Sequence, residues 1–240
     1  MKIKAACMKC TFEDGRESEP TSLQITDNNL YIFECPYGHK NALYQQEQKF
    51  ELLFESSVYA IRDGYLREAV SSIAASLERF YEFFIKLISI KNEIDETVLN
   101  KTWNLLSKQS ERQLGAFIFL YCLEFGKPPT LLSSNQIEFR NNIIHKGYFP
   151  TYEKTVEFGQ KVLDFIVEIL SILKSKYPKH ISNLITQHNI KLHFEAIKIT
   201  DQPIGLSSST IIGLNRDYDN NKPIILEEYL NYKKNKLNSI

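Results

Sequence analysis

The sequence predicts a mainly α-helical protein, a helical bundle with a small β module before it and a small mixed extension after it. Three observations carry this expectation. From residue 43 to residue 177 apolar side chains recur at spacings of three and four, the period of a helix with one buried face. The first 42 residues hold three of the four cysteines and two short runs rich in β-branched and aromatic residues. Beyond residue 179, Ile190, Leu192 and Phe194 alternate with Lys191, His193 and Glu195, the period of a half-buried strand. The expected divisions are therefore 1–42, 43–178 and 179–240.

Composition limits what such a chain can do. Its 240 residues are 43% hydrophobic and 24% charged, the profile of a soluble globular protein large enough to bury a core without disulfides. No apolar run approaches the roughly 20 residues of a membrane span. The start, MKIKAACMKC, lacks the apolar stretch of a signal peptide. Lysine plus arginine and aspartate plus glutamate each total 29, so the net charge is zero with histidine neutral. Bulk electrostatic coating of nucleic acid is excluded on that ground, whereas a small site touching a few phosphates is not.

In the N-terminal segment, Cys7 and Cys10 form a C-x2-C pair, and Cys35 and His39 form C-P-Y-G-H. Residues 22–26 (SLQIT) and 30–34 (LYIFE), with Asn28-Asn29 between them, read as a hairpin. Zinc takes four thiolate or imidazole ligands in a tetrahedron, and two pairs at short spacing supply them. Pro36 and Gly38 suit a tight turn inside the second pair. The expectation is a zinc-ribbon-like module whose metal is structural, because four protein ligands leave no open position. The bland alternative is a set of free thiols in a small β segment. Cys122 stands alone on an apolar helix and reads as an inert core cysteine. Such cysteine usage points to a reducing, cytoplasmic compartment.

The bundle is read helix by helix. Phe50, Leu53, Phe54, Ser57, Ala60 and Ile61 line the first helix, which Asp63-Gly64 ends. The next, from about Tyr65 to Ile90, begins with small residues (Ala69, Ala74) and ends with large ones (Phe80, Phe84, Ile88), so its first half admits a close neighbour. A shorter helix runs to Leu106. Ser110-x-x-Gln113 reads as a capping box opening a helix that Gly126, Pro128 and Pro129 stop. Ser133-x-x-Gln136 is another, opening a helix that ends at Gly147 and Pro150. Thr151 caps the last bundle helix, with Glu153 complementing its dipole. Short loops between five or six helices are the pattern of an antiparallel up-down bundle. Farther on, residues 214–223 (LNRDYDNNKP) read as a turn, residues 224–237 fit strand or helix equally, and 233-KKNK-236 reads as a solvated face.

The remaining informative stretch is FRNNIIHKG, residues 139–147. Asn141 and His145 lie four apart and share a helix face, and Arg140 is long enough to reach across it. Arg140 is also placed to pair with Glu138 or with Glu78 of a neighbouring helix, and a histidine in a last turn serves as a cap as well as a catalyst. An arginine, a polar residue, three more residues and a histidine near a helix end resemble the R-x4-6-H motif of the HEPN superfamily. The flanks agree: residues 64–84 resemble that family's long small-residue helix, with a polar Glu78-Arg79 pair, and residues 145–158 (HKGYFPTYEKTVEF) are similar to its continuation after the motif. The resemblance spans about residues 45–177 and leaves both ends of the chain unexplained.

That resemblance implies a HEPN-like bundle that forms a homodimer, bringing two motifs together, and a metal-independent endoribonuclease of toxin or anti-phage defence type. Carried onto this chain, His145 is the general acid/base, Arg140 neutralises charge on the phosphate, and Asn141 orients the histidine or binds a phosphate oxygen. The product is a 2′,3′-cyclic phosphate. RNA and a protein partner or antitoxin are the implied partners. Two alternatives stay beside it: a non-catalytic interaction or nucleotide-binding module, and a zinc-ribbon nucleic-acid-binding protein that uses the helices to dimerise.

Overall fold

The computed structural model describes residues 1–216, 218 and 222–237, with the side chains of 234–237 left aside. Among the described residues it is mainly helical, with two small sheets. In chain order the elements are β1 (Lys2–Ala5), α1 (Met8–Phe12), β2 (Thr21–Gln24), β3 (Leu30–Glu34), β4 (Lys40–Gln45), α2 (Lys49–Arg62) and α3 (Leu66–Lys91). There follow α4 (Glu96–Leu106), α5 (Ser110–Phe125), α6 (Ser134–Lys146), α7 (Tyr152–Lys176), α8 (Pro178–Ile197), β5 (Ile204–Leu206) and α9 (Leu226–Leu237). No described helix is long and apolar enough to cross a membrane.

Two compact units divide the chain, one made of residues 1–47 and 182–209, the other of 48–181 and 210–240. In the first, β1 pairs antiparallel with β2, and β3 pairs antiparallel with β4, which takes β5 as a parallel neighbour. The expected hairpin between 22–26 and 30–34 therefore does not form. Each strand instead finds a partner that the sequence reading passed over, Lys2–Ala5 for the one and Lys40–Gln45 for the other. The reason lies in the side chains. Ile3 and Ala5 bury alternate positions of β1, and Ala42 and Leu43 are buried on β4, so these pairings cover more apolar surface than a lone two-stranded ribbon. Ile3, Tyr31, Phe33 and Leu43 form a small core with Leu23, Ile25, Ile204 and Leu206 packed on it.

The strand expected at 190–195 is also replaced. Those residues lie in α8, with Pro178 at its first position, where a missing N–H is harmless. Ile181, Leu192 and Ala196 are buried while Ile190 and Phe194 are exposed, so the long helical period overrides a six-residue alternation. Loop residues 207–208 are held by Glu47, whose carboxylate accepts from the Ser207 hydroxyl and the Ser208 backbone N–H.

The second unit is a helical bundle around α3, against which α2, α5, α6 and α7 pack. The small residues early in α3 do allow α2 to lie close: Ser76 Oγ donates to the Phe50 carbonyl at 2.7 Å. The large residues later in α3 build an aromatic core in which the Phe84 and Phe117 rings are 4.9 Å apart and the Phe80 and Phe165 rings 6.3 Å apart. Ser133 and Gln136 form the expected capping box, and the Thr151 hydroxyl accepts from the Lys154 N–H. The capping box expected at Ser110 is absent. Gln109 takes the cap position, and Gln113 turns into the core to accept from Arg79 and donate to the Ser107 carbonyl.

Cys122, expected in the core, is exposed. Gln113, Phe117 and Tyr121 are the buried residues of α5, and Cys122 follows Tyr121 about 100° farther round the helix. The ambiguous tail is helical as α9. Lys233, expected on a solvated face, is mostly buried and makes a 2.8 Å ion pair with the fully buried Glu55; the side chains of 234–236 lie outside the described residues. Part of the turn expected at 214–223 also lies outside them.

Candidate metal centre and candidate RNA site

The metal-ligand candidates meet in the first unit. Cys7 lies two residues beyond β1 at the N-cap position of α1, whose single turn brings Cys10 beside it. Cys35 and His39 sit at the tip of the β3–β4 hairpin. The Gly38 N–H donates to the Cys35 carbonyl at 2.9 Å and the Cys35 N–H to the His39 carbonyl at 3.1 Å, closing the loop. Gly38 has φ +81°, a left-handed conformation that only glycine adopts cheaply.

One ligand atom from each of Cys7, Cys10, Cys35 and His39 lies within 4.8 Å of all the others. The Cys10 and Cys35 sulfurs are 3.7 Å apart, and His39 Nδ1 is 3.3 Å from Cys10 Sγ and 3.7 Å from Cys7 Sγ. A tetrahedral ion with metal–sulfur bonds of about 2.3 Å and metal–nitrogen bonds of about 2.0–2.1 Å spaces its ligands by about 3.5–3.8 Å. The clustering of the four groups is compatible with a single metal ion. All three sulfurs are buried. Burial resists ionisation of Cys7, but the Cys10 backbone N–H, Asn41, His39 and the Cys10 thiol outweigh it and bring that thiol down to about 6. Burial and its two sulfur neighbours push Cys10 up to about 12. Three thiols this close ionise together only around a cation. The other face of the imidazole meets Asp14, whose carboxylate lies 3.7 Å from Nε2. No sequence signal marked Asp14; it falls four residues beyond Cys10 and reaches His39 through the turn after α1.

In the second unit, α6 carries Arg140, Asn141 and His145 onto one cavity of about 270 Å³. Its other polar lining residues are Glu78 of α3, Ser110 and Glu111 of α5 and Gln136 of α6. Leu77, Tyr81, Leu114, Leu132, Ile137 and Phe158 supply the apolar walls. Arg140 is held from two sides, donating to Glu78 Oε1 at 2.8 Å and to Asn141 Oδ1 at 2.9 Å. Of the two pairings open to it in the sequence, the one with Glu78 is realised. Both side chains keep about a quarter of their surface open, and His145 is exposed. Two of the five guanidinium donors are engaged by these bonds.

α6 is anchored by the fully buried Ile143 and by the Phe139 ring, 5.6 Å from Phe158 of α7. Gly147, φ +72°, terminates the helix so that its N–H and that of Tyr148 both reach the Asn142 carbonyl. This stop places His145, one of the cavity's lining residues, in the last turn. His180, His188 and His193 all lie on α8, away from the ligand cluster in sequence and absent from it in space. No protein-family model, curated protein or solved structure matches the chain.

Proposed function

We propose that the protein is a HEPN-type, metal-independent endoribonuclease with an N-terminal structural zinc module. The observation that carries this reading is the convergence of Arg140, Asn141 and His145 on one solvent-open cavity beside Glu78. The chemistry suits those groups. An imidazole titrates near neutrality and takes the proton of an RNA 2′-hydroxyl. The freed oxygen attacks the adjacent phosphorus, the P–O5′ bond breaks, and a 2′,3′-cyclic phosphate and a 5′-hydroxyl result once the leaving oxygen is protonated. Arg140 opposes the charge that grows on the phosphate oxygens, using donors that Glu78 and Asn141 leave spare. Asn141 fixes the Arg140 fork. The nucleophile belongs to the substrate, so DNA resists.

In a homodimer the imidazole of a second copy supplies the acid for the leaving oxygen. Phe119 and Leu123, 66% and 68% exposed on α5, are apolar surface that such a pairing covers. A toxin or defence role, with an antitoxin as protein partner, follows from the family resemblance alone. Zinc is the metal that best suits three thiolates and an imidazole in a closed tetrahedron, and its role is to fold the module.

The test is cleavage of structured and unstructured RNAs by wild type and His145→Ala. The substitution lowers the rate by at least 100-fold. Equal degradation by the two proteins removes the nuclease assignment. A second reading, a non-catalytic interaction or nucleotide-binding module, is favoured by the Arg140–Glu78 ion pair, which also serves simply to join α6 to α3. It predicts that Arg140→Ala leaves biological activity intact.

A further inference from the structure

We infer that the cavity between α3, α5 and α6 is a binding site for a small apolar ammonium: one aromatic or branched aliphatic group inside the cavity, on a short arm whose protonated amine pairs with Glu111. Arg140, Asn141 and His145 account for part of the lining. Most of the remainder is apolar, with Leu77, Leu114, Leu132 and Ile137 beside the Tyr81 and Phe158 rings. Leu77, Tyr81 and Phe158 are buried, Leu114 and Leu132 are half-buried and Ile137 is 44% exposed, so part of this apolar surface still meets water. An apolar group that covers it releases that water, which is favourable. The volume of about 270 Å³ lies just below the roughly 300–1,000 Å³ typical of small-molecule sites, so the group is a single ring or a branched chain.

Charge selects the head group. The charged lining residues are the Arg140 guanidinium and the Glu78 and Glu111 carboxylates, so the cavity is negative by one charge when the His145 imidazole is neutral. Arg140 is already answered by Glu78 Oε1 at 2.8 Å, and an anion approaching its fork meets that carboxylate as well. Glu111 has no such counterpart. Among the described residues it accepts one long bond, 3.4 Å, from the Ser110 hydroxyl, and no cation pairs with it. Its place in the first turn of α5 offsets at most about half a charge. The neutral acceptors are engaged: Asn141 Oδ1 accepts from Arg140, and Gln136 Oε1 from the Ser133 N–H. Leu114, three residues beyond Glu111, shares its helix face, so the unanswered carboxylate and the apolar surface lie side by side on α5. An ammonium on a short apolar arm satisfies both at once. Such a ligand binds whether or not His145 is catalytic.

The test is a ligand-observed NMR titration of the full chain at about pH 8, where a free imidazole is largely neutral. Three probes share one shape and differ in charge: 2-phenylethylamine, 2-phenylethanol and 3-phenylpropionate. The amine is expected to bind about fivefold more tightly than the alcohol, the upper end for a solvent-exposed ion pair, and the carboxylate more weakly than either. Glu111→Gln, a change at an exposed position, brings the amine down to the level of the alcohol. Leu114→Trp and Leu132→Trp fill the cavity from α5 and from the loop before α6. Each weakens the amine and the alcohol by about tenfold or more, with circular dichroism identifying a variant that fails to fold. An amine that does not bind wild type in the millimolar range overturns the site. So does an alcohol or carboxylate that matches the amine, or a preference for the amine that survives in Glu111→Gln. Binding that filled, folded variants retain in full lies elsewhere on the molecule and overturns the assignment as well. Should both tryptophan variants unfold, the preference for the amine and its loss in Glu111→Gln decide the matter alone.

Discussion

Asp14, which no sequence pattern marks, lies beside the candidate metal ligand His39. A metal-bound imidazole holds its ring orientation and tautomer through what its second nitrogen meets, and loss of such a partner typically costs about 10- to 100-fold in metal affinity. With His39 Nδ1 toward the sulfurs and Asp14 3.7 Å from Nε2, Asp14→Asn is expected to weaken zinc binding within that range. Competition with a chromophoric chelator measures it, and an unchanged affinity removes Asp14 from the site. Lys233 gives a second prediction at this scale. Burial opposes its charge, but Glu55 and Tyr229 hold its proton well above the ordinary lysine range. A raised folded value means that the pair stabilises the fold fully at neutral pH and up to about 10.4, and that this contribution fades as the pH climbs beyond. Lys233→Ala leaves the buried Glu55 carboxylate without its cation and is expected to cost about 3–5 kcal/mol in urea unfolding at pH 7. A loss below about 1 kcal/mol would show that Tyr229 and the Ile211 N–H suffice for Glu55.

At the scale of the element, α6 carries the three candidate residues Arg140, Asn141 and His145. Ile143 is its only fully buried residue, so little apolar burial holds it and its ends matter. Its capping box satisfies N–H groups at the start, and Gly147 satisfies carbonyls at the end. Ser133→Ala is expected to lower stability by about 1 kcal/mol, read as a shifted denaturation midpoint at constant slope. No shift would mean that Gln136 and water cap the helix without the hydroxyl. The same comparison shows why one capping signature succeeded and another failed. Ser133 is exposed and Gln136 half-buried, and Gln136 accepts from the Ser133 N–H, whereas Gln113 is buried and Arg79 claims its carbonyl. Likewise, α8 and the strand pattern inside it differ only in window length. Three apolar residues in alternation cannot outweigh a buried stripe that runs from Ile181 through Leu192 to Ala196.

At the scale of the whole molecule, the two compact units have different sources of stability. The bundle rests on a large aromatic core, the other unit on a handful of apolar residues beside four metal-ligand groups. Calorimetry is expected to show two transitions, with a strong chelator lowering or abolishing one and leaving the other near its original temperature. A single transition insensitive to the chelator would argue against a structural metal in that unit. Part of the fold and of the candidate sites was legible along the chain: the two candidate ligand pairs, the helical period through the bundle, the breaks at Gly64, Gly126 and Gly147, and the placing of Arg140 and His145 on one helix. These are local features, set by turn geometry and by which residues a period of 3.6 aligns. What only the tertiary structure decided was the pairing of strands, the division of residues 182–240 between the two units, the exposure of Cys122, and the partners Asp14, Glu55 and Glu78. Each depends on contacts between segments far apart in the chain, where shape and buried charge select among alternatives that local sequence leaves equal.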